Sequence, residues 1–284
     1  MCHNPLNRVT CKITQNVEIA SDIFDMIVEV GGMADIALPG QFANLYCADS
    51  AKLLPRPISI CNVDRDNQTL RLIYAVVGEG TKDFAKLIAG DSIEILGPLG
   101  KGFTLDGHMD SHVLIVGGGV GTPPLLQLAK TLKEKYADKI TITIVLGFRD
   151  DIYLSEEFKA YGQIYVGTDS GKHGYKGNVI QLMSDVEVFE TNDSFDYMFS
   201  CGPTPMLKGL QQYVHTKGIK GEFSLEERMG CGFGGCVGCV VGIRNADTMS
   251  ETVMKSKDDI EANEFEYKKV CKDGPVFEYS EVIF

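Results

Sequence analysis

The chain has 284 residues, which suits about two domains and leaves room for a small third. A hydrophobic fraction of 44% and a charged fraction of 23% are close to globular averages and exclude a mostly disordered chain. The formal net charge of −12 argues against nucleic acid and against an anionic membrane surface as partners, because both select clustered cations.

The amino terminus and the cysteines indicate the cellular compartment. Residues Met1–Thr10 lack the apolar core of a signal peptide, and the apolar stretches of the chain are too short to span a bilayer. The cysteine count of nine is odd, which disfavours a disulfide framework, and three of these cysteines fall within nine residues. We therefore expect a cytoplasmic protein with a metal site.

Residues 1–104 predict an all-β first domain. Short apolar segments alternate with Gly and Pro turn signals, a spacing typical of a barrel or a sandwich. The expected strands are Val17–Ala20, Phe24–Val30, Phe42–Cys47, Ile58–Val63, Leu70–Val77 and Ser92–Leu96. One helix is expected from Thr81, because Phe84, Leu87 and Ile88 share a helical face.

Residues 105–221 predict a second domain in which strands and helices alternate. This alternation implies a mainly parallel sheet covered by helices on both faces. The expected strands are His112–Val116, Ile140–Leu146, Gln163–Val166 and Tyr197–Ser200, and the expected helices are Leu125–Leu132, Ser155–Tyr161, Asn178–Met183 and Thr204–Lys217. Residues 222–284 form a third part, whose charged stretch Thr248–Tyr267 is expected to be a solvated excursion.

The strongest motif for chemistry is a group of cysteines in the third part. Four residues separate Cys231 from Cys236, two separate Cys236 from Cys239, and Cys271 is the only later cysteine. This spacing is typical of a plant-type [2Fe–2S] cluster. Glycines in the loop permit a tight turn and offer backbone N–H groups to thiolates; they are Gly232, Gly234, Gly235 and Gly238. Zinc usually takes two C-x2-C pairs, of which only one is present, and a loop of free thiols is the other alternative.

Two weaker motifs in the first domain suit a flavin nucleotide. The segment Arg56–Ser59 opens an expected strand, where a guanidinium can pair with phosphate oxygens and a hydroxyl or strand N–H can meet a flavin ring edge. Gly80 and Thr81 precede an expected helix, where free N–H groups can hold a pyrophosphate. Taken singly, an ordinary strand opening and an ordinary helix N-cap explain the same residues.

Two turns in the second domain suit a dinucleotide. The glycine-rich turn Gly117–Gly121 follows a strand and precedes a helix, but it is not G-x-G-x-x-G. No clear acidic residue ends the next strand, where Gly147–Asp150 stands, so a tight strand–helix turn is the alternative. Cys201 ends a strand whose carboxyl end would face a ligand, although a buried structural cysteine explains it too.

The order of these motifs resembles the ferredoxin-reductase flavoproteins, and the cysteine segment narrows the resemblance. Arg56–Ile60, Ser224–Cys239 and Val270–Phe277 closely resemble the family of electron-transfer subunits of NAD-dependent, class B dihydroorotate dehydrogenases. The resemblance covers nearly the whole chain. It implies an α+β fold of three domains: an antiparallel β-barrel for FAD over 1–104, a parallel α/β sheet for NAD over 105–221, and a small [2Fe–2S] domain over 222–284.

The resemblance also implies site residues. FAD would be held by Arg56, Pro57, Ile58 and Ser59, by Ile73, Tyr74 and Ala75, and by Gly80 and Thr81. NAD would be held at Gly117, Gly118, Gly119 and Gly121, with Cys201 near the nicotinamide, and the cluster by Cys231, Cys236, Cys239 and Cys271. The gap before Cys271 is longer than the family leads us to expect, so Thr248–Tyr267 looks inserted.

The function implied is electron transfer in de novo pyrimidine (UMP) biosynthesis. In the family, electrons pass between NAD(H) and an FMN-containing dihydroorotate dehydrogenase catalytic subunit by way of FAD and the cluster. We expect a heterotetramer with two copies of each subunit, and no pyrimidine-oxidising residue in this chain. The alternatives are the FAD/[2Fe–2S] subunit of a ferredoxin:NADP transhydrogenase or sulfide dehydrogenase complex, and a non-catalytic iron–sulfur scaffold.

Overall fold

A computed structural model describes residues 8–186, 195–245 and 264–284 of the chain. The expected fold class is confirmed: a closed antiparallel barrel, a mainly parallel sheet, and a carboxyl-terminal segment that carries the cysteine loop. Among the described residues, no helix has the length and apolar character needed to cross a membrane.

The barrel contains six strands in the order β1-β2-β5-β4-β3-β6. The strands are β1 Arg8–Ala20, β2 Ile23–Glu29, β3 Phe42–Tyr46, β4 Arg56–Asp64, β5 Thr69–Ala75 and β6 Ser92–Leu99. Two short helices accompany them, α1 Met33–Ile36 and α2 Glu79–Phe84. Closure leaves the barrel without free strand edges, and its interior is filled by apolar side chains, including Ile13, Met26, Leu45 and Leu72.

Two elements of the barrel differ from the sequence prediction. The first strand begins at Arg8, because Cys11 and Ile13 are buried between exposed neighbours with the period of a strand. The expected helix begins earlier and ends at Phe84, so Ile88 is exposed instead of sharing the buried face of Phe84.

The central sheet has seven strands in the order β10-β9-β8-β7-β11-β12-β15. Its strands are β7 Ser111–Gly118, β8 Ile140–Phe148, β9 Gln163–Thr168, β10 Tyr175–Lys176, β11 Tyr197–Cys201, β12 Lys220–Ser224 and β15 Val276–Glu278. Its helices are α3 Pro123–Tyr136, α4 Ser155–Phe158, α5 Val179–Asp185 and α6 Thr204–Lys217, and 3-10 turns lie at Gly119–Gly121 and Ala137–Lys139. The chain runs outward from β7 in both directions, so the topological switch point lies between β7 and β11.

The carboxyl-terminal segment is tied into this sheet. The strands β13 Val240–Arg244 and β14 Phe265–Lys269 form an antiparallel hairpin, and α7 Val270–Asp273 follows. β15 then pairs antiparallel with β12. The expected domain boundary after residue 221 falls inside β12, all of whose residues pair with β11. Of the expected excursion, 248–263 lies outside the described residues, whereas Phe265–Tyr267 lies in β14.

Candidate functional site

All but one of the residues expected to hold FAD line one cavity of about 420 Å³; the exception is Gly80. Its walls include Arg56–Ser59 of β4, Ile73–Ala75 of β5, and Thr81 of α2. Strands β4 and β5 are paired neighbours, which explains how segments whose first residues are 17 positions apart in the sequence reach the same wall. Tyr74 lines the cavity although it is almost fully buried. Its hydroxyl donates to Asn16 Oδ1 (3.0 Å), which fixes the side chain against the first barrel strand.

Arg56 and Gly80 are in direct contact at one end of this cavity. A Cβ atom on residue 80 would overlap the guanidinium of Arg56, so any larger residue there would force that guanidinium to move. Thr81 Oγ1 accepts the N–H groups of Val77 (3.0 Å) and Gly78 (3.2 Å), which shapes the start of α2. A planar cation therefore lies over the first turn of a helix, an arrangement suited to a pyrophosphate.

The glycine-rich turn after β7 separates the flavin cavity from a second cavity of about 260 Å³. Val120 lines the first cavity, and Gly118 and Gly119 line the second. The second cavity also receives Arg149 and Asp169 from the ends of β8 and β9. It lies at the carboxyl ends of parallel strands, beside the switch point, where sheets of this kind bind nucleotides.

Gly117 and Gly121 do not line either cavity; both permit close packing behind the turn. A Cβ on residue 121 would lie 2.5 Å from the carbonyl carbon and oxygen of Cys201. A Cβ on residue 117 would meet Thr122 Oγ1 at 3.0 Å. Gly121 therefore lets the turn approach the end of β11, and Gly117 lets it pack against Thr122 and Leu125. A Cβ on Gly118 would lie 2.6 Å from Met206 Sδ, whereas Gly119 faces open space.

Cys201 and Glu226 both line the flavin cavity. Burial raises the pKa of the Cys201 thiol above its ordinary value, so the thiol stays neutral. Glu226 also lines the cavity and is exposed as a whole residue, but nearby protein atoms partly desolvate its carboxyl and raise its pKa. Both groups are thus uncharged more readily than free side chains would be.

The four cysteines of the third part face one another as two pairs. The thiols of Cys231 and Cys236 interact, and so do those of Cys239 and Cys271. Two thiolates for each of two metals is the ligand set of a [2Fe–2S] cluster, so these residues fit that group. In the part of the chain described, no three such side chains converge on one point as a single zinc ion would require.

Backbone N–H groups point at the sulfurs of this loop. Cys236 N–H donates to Cys231 Sγ (3.4 Å), Gly238 N–H to Cys236 Sγ (3.4 Å) and Cys271 N–H to Cys239 Sγ (3.5 Å). Burial alone would raise the pKa of Cys231, but N–H groups of the loop outweigh it and bring that pKa to about 6. At Cys271 burial and the neighbouring Cys239 raise the pKa to about 12.

The hairpin β13–β14 delivers Cys271 to the loop. Val240 pairs with Lys269, so the residues just beyond them, Cys239 and Val270, meet at the same end of the hairpin. Val270 N–H donates to Cys239 O (2.9 Å), and Cys271 follows directly. The long gap before Cys271 is therefore closed by strand register.

Sequence reasoning missed several residues of these sites. The segment Ser224–Glu227 with Met229 runs along the flavin cavity toward Cys231, and Phe42 and Pro275 complete the cavity wall. The segment Ser224–Cys239 carried the family resemblance, but its sequence did not indicate that Ser224–Glu227 would line the flavin cavity. Phe42 and Asn44, whose Nδ2 donates to Cys231 O (2.8 Å), carry no local signal at all.

Comparisons with known proteins give a consistent result. The family model of the iron–sulfur cluster binding domain of dihydroorotate dehydrogenase B matches residues 226–283, and that of the oxidoreductase NAD-binding domain matches residues 115–212. The electron transfer subunit of dihydroorotate dehydrogenase B (NAD(+)) from Fusobacterium nucleatum is 39% identical over 276 residues, which cover 96% of this chain and 97% of that protein.

Solved structures extend the comparison to the fold. The NADH-dependent reduced ferredoxin-NADP oxidoreductase, studied for flavin-based electron bifurcation, matches with a TM-score of 0.79 and 28% identity, covering 97% of this chain and 90% of that one. A ferredoxin NADP+ reductase from Neisseria gonorrhoeae with bound FAD and NADP matches with a TM-score of 0.60 and 15% identity, covering 74% and 92%. This second likeness concerns the fold alone.

Proposed function

Because the chain belongs to the family of electron transfer subunits of dihydroorotate dehydrogenase B (NAD(+)), we propose that it carries electrons between NAD(H) and its catalytic subunit by way of FAD and a [2Fe–2S] cluster. The catalytic subunit would oxidise dihydroorotate in pyrimidine biosynthesis. The observation that carries the proposal is the contiguity of the sites. The nucleotide cavity, the flavin cavity and the cysteine loop follow one another through Gly118–Val120 and Ser224–Met229.

The proposed roles follow from these contacts. Arg56, Gly80 and Thr81 hold the FAD pyrophosphate, and Pro57–Ser59 with Ile73–Ala75 hold the isoalloxazine. Gly118 and Gly119 line the cavity that would take the NAD pyrophosphate. Gly121 keeps the turn close to Cys201, and Gly117 keeps it close to Thr122. Cys231 and Cys236 hold one iron, and Cys239 and Cys271 hold the other.

A bound flavin would reconcile the two kinds of electron transfer, because it exchanges two electrons with nicotinamide and one at a time with a cluster. The chain's own residues then have binding and screening tasks. The buried, neutral Cys201 thiol adds no charge where the nicotinamide would meet the flavin. The N–H groups of the cysteine loop stabilise negative charge on the thiolates.

We further propose that the partner contains FMN and that two copies of each subunit assemble. Support comes from exposed apolar side chains on and beside the cysteine loop, namely Phe233, Val237, Val240 and Tyr267. The loop carries no charged residue between Cys231 and Cys239, and the cores of protein interfaces are depleted in charge. A reducing cytoplasm suits the four thiolates that the cluster needs.

One experiment tests the cluster and flavin assignments together. The chain, purified without oxygen, is expected to contain FAD and a [2Fe–2S] cluster with a reduced-state EPR signal. Cys271→Ser should lose that signal and keep FAD, whereas Cys11→Ser, at a buried barrel cysteine, should keep both. A normal cluster in Cys271→Ser would show that the fourth ligand is another residue.

A pull-down without oxygen tests the partner. We expect recovery of an FMN-containing subunit together with NAD-dependent dihydroorotate oxidation. Recovery of a larger subunit with FAD and [4Fe–4S] clusters would instead favour the ferredoxin:NADP transhydrogenase role, which the structural likeness at 28% identity keeps as the second candidate. Failure of the purified chain to oxidise NADH through a flavin would favour the non-catalytic scaffold.

A further inference from the structure

Asn44 is a buried polar residue on the barrel strand that separates the flavin cavity from the cysteine loop. Its neighbours Ala43 and Leu45 point into the barrel core, whereas Phe42 and Asn44 lie on the opposite face of β3. Phe42 packs into the same apolar cluster as Cys239 and Cys271. The face that carries Asn44 is therefore the face turned toward the cysteines.

The side chain of Asn44 holds the first cysteine of the loop across 187 positions of sequence. Its Nδ2 donates to Cys231 O at 2.8 Å, and the side chain has no exposed surface. Gly232 lies directly on the amide, because a Cβ there would sit 2.5 Å from Asn44 Oδ1. Gly232 also has a φ of +76°, so the loop is shaped to bring its backbone against this side chain.

Only the nitrogen of the Asn44 side-chain amide has a hydrogen-bond partner among the described residues. Asn44 Oδ1 is buried without a hydrogen-bond partner in the described part of the chain. Burying an unpaired polar atom is unfavourable, and an apolar side chain of similar size would fill the space without that penalty. The useful property of Asn44 is therefore its donor to Cys231.

Asn44 also contacts the flavin side of the barrel. In the register of β3 and β4 it stands opposite Pro57, which lines the flavin cavity. One strand pairing and one hydrogen bond thus connect the cavity wall to the peptide of Cys231. No other side-chain hydrogen bond between β3 and the segment 224–239 is seen among the described residues.

We propose that Asn44 is a positioning residue that sets the distance and orientation of the cysteine loop relative to the flavin. The inference rests on the proposed function, because it concerns transfer between the flavin and the cluster. Electron transfer weakens steeply with separation, so a loop released from β3 would slow this one step. Asn44 acts through the Cys231 peptide and is not itself a ligand.

The test uses the chain loaded with FAD and cluster and assembled with its catalytic subunit. Asn44→Leu removes the donor at similar volume, Asn44→Asp keeps the shape but cannot donate as a carboxylate, and Asn44→Ser retains a shorter donor. Each is reduced with NADH in an anaerobic stopped-flow spectrometer that follows flavin bleaching and cluster reduction separately. For Asn44→Leu and Asn44→Asp, the ratio of the second rate to the first should fall about tenfold or more. The g values of the reduced cluster should shift as well, and Asn44→Ser should recover part of both.

Leu45→Val is the matched control, because it alters the same strand on the face that points into the barrel. It should keep the wild-type ratio and g values. A wild-type ratio and unchanged g values in fully loaded Asn44→Leu would overturn the proposal, and so would an equal loss in Leu45→Val. If the unaltered chain held neither flavin nor cluster, the proposed function itself would be wrong, which is a different result from a loaded Asn44→Leu that behaves normally.

Discussion

Single side chains at the flavin cavity work by fitting closely against backbone. Arg56 lies on Gly80 so tightly that a methyl group on residue 80 would displace the guanidinium. The guanidinium of Arg56 and the absence of a side chain at Gly80 therefore depend on each other, and changing either residue should disturb the other. This contact supports the proposed phosphate-binding role of Arg56 and Gly80 over an ordinary strand opening followed by an ordinary helix start.

Replacing either Arg56 or Gly80 should release FAD. Arg56→Ala should cost about 1.5–3 kcal/mol of FAD binding, the usual range for a hydrogen bond to a charged group, and Arg56→Lys should recover only part of it. Gly80→Ala should weaken binding in the same direction. Gly78→Ala is the matched control, because a Cβ there meets nothing within 4 Å and its backbone is extended. FAD content after dialysis measures all four, and full retention in Gly80→Ala would contradict the contact.

Glu226 should make the stability of the flavin-free chain depend on pH. Its pKa is raised by burial, so below the ordinary carboxyl pKa both folded and unfolded chains are protonated and no difference arises. Above that value the unfolded chain ionises first, and the folded state loses stability as the pH rises toward the raised pKa. Glu226→Gln should therefore unfold at higher urea concentration than the unaltered chain at pH 7 and at the same concentration near pH 4. Equal midpoints at both pH values would show that Glu226 is fully solvated.

Whole elements meet at two junctions that the sites depend on. At the first, the turn after β7 packs against the end of β11 through Gly121 and Cys201. At the second, Arg71 of β5 donates to Asp25 Oδ2 of β2 (2.9 Å) and to Glu157 Oε2 of α4 (2.6 Å), which ties the barrel to the central sheet. The first junction shapes the nucleotide site, and the second fixes the two folded parts against each other.

Gly121→Ala should slow NADH-dependent reduction of the flavin. The added Cβ would lie 2.5 Å from backbone atoms of Cys201, so the two turns must separate and the nucleotide cavity must change shape. Reduction by dithionite should stay at the rate of the unaltered chain. Gly32→Ala, whose nearest neighbour would be 3.9 Å away, is the control. Equal NADH rates in all three proteins would place nucleotide binding elsewhere.

Arg71→Met should destabilise the folded chain by about 3 kcal/mol, at the lower end of the range for a broken buried ion pair. Asp25 is nearly inaccessible, and it would lose its cationic partner and keep only the Gln15 Nε2 donor (3.2 Å). Glu157→Gln removes the more exposed partner and should cost about 1 kcal/mol or less. Urea unfolding measures both variants, and equal losses would mean that the Asp25 pair is no stronger than a surface pair.

At the scale of the whole molecule, the three sites adjoin one another, and the cysteine loop presents apolar side chains beside Lys269 and Lys272. The carboxyl-terminal segment lies on the sheet through β15 and on the barrel through Asn44. The cysteine loop is therefore held by both larger parts and still presents Phe233 and Val237 to the outside. These exposed apolar side chains support the proposed contact with the catalytic subunit.

Phe233→Glu should abolish assembly with the catalytic subunit and NAD-linked dihydroorotate oxidation. A charge placed in an apolar interface core loses its hydration without gaining a partner. FAD and cluster spectra should stay unchanged. Val17→Glu is the matched control, since Val17 is 47% exposed and Phe233 is 49% exposed, but Val17 lies on the first barrel strand. Normal assembly of Phe233→Glu in size-exclusion chromatography would place the interface on another surface.

Patterns within a few residues were enough to predict much of this protein. The cysteine spacing, the strand–turn–helix around Gly117–Gly121 and the change from short strands to alternating elements are local, and local backbone preferences determine them directly. The fold class and the approximate strands of the barrel followed from those patterns. The motifs at Arg56 and Gly80, each ambiguous alone, lie in contact in the structure, and their role in FAD binding stays a prediction.

Contacts between distant segments were decided only by the tertiary structure. Register in the hairpin β13–β14 brings Cys271 to Cys239, the pairing of β15 with β12 ties the last segment to the sheet, and Asn44 meets Cys231 across 187 positions. No short pattern encodes these meetings, because they depend on which faces of separately formed elements pack together. The sequence by itself thus determined the fold class and the cofactors, and it predicted which groups bind the flavin, the nucleotide and the cluster. The packing of the barrel against the sheet and the cysteine loop determined that the three sites adjoin, since only burial of their shared apolar surfaces fixes that geometry.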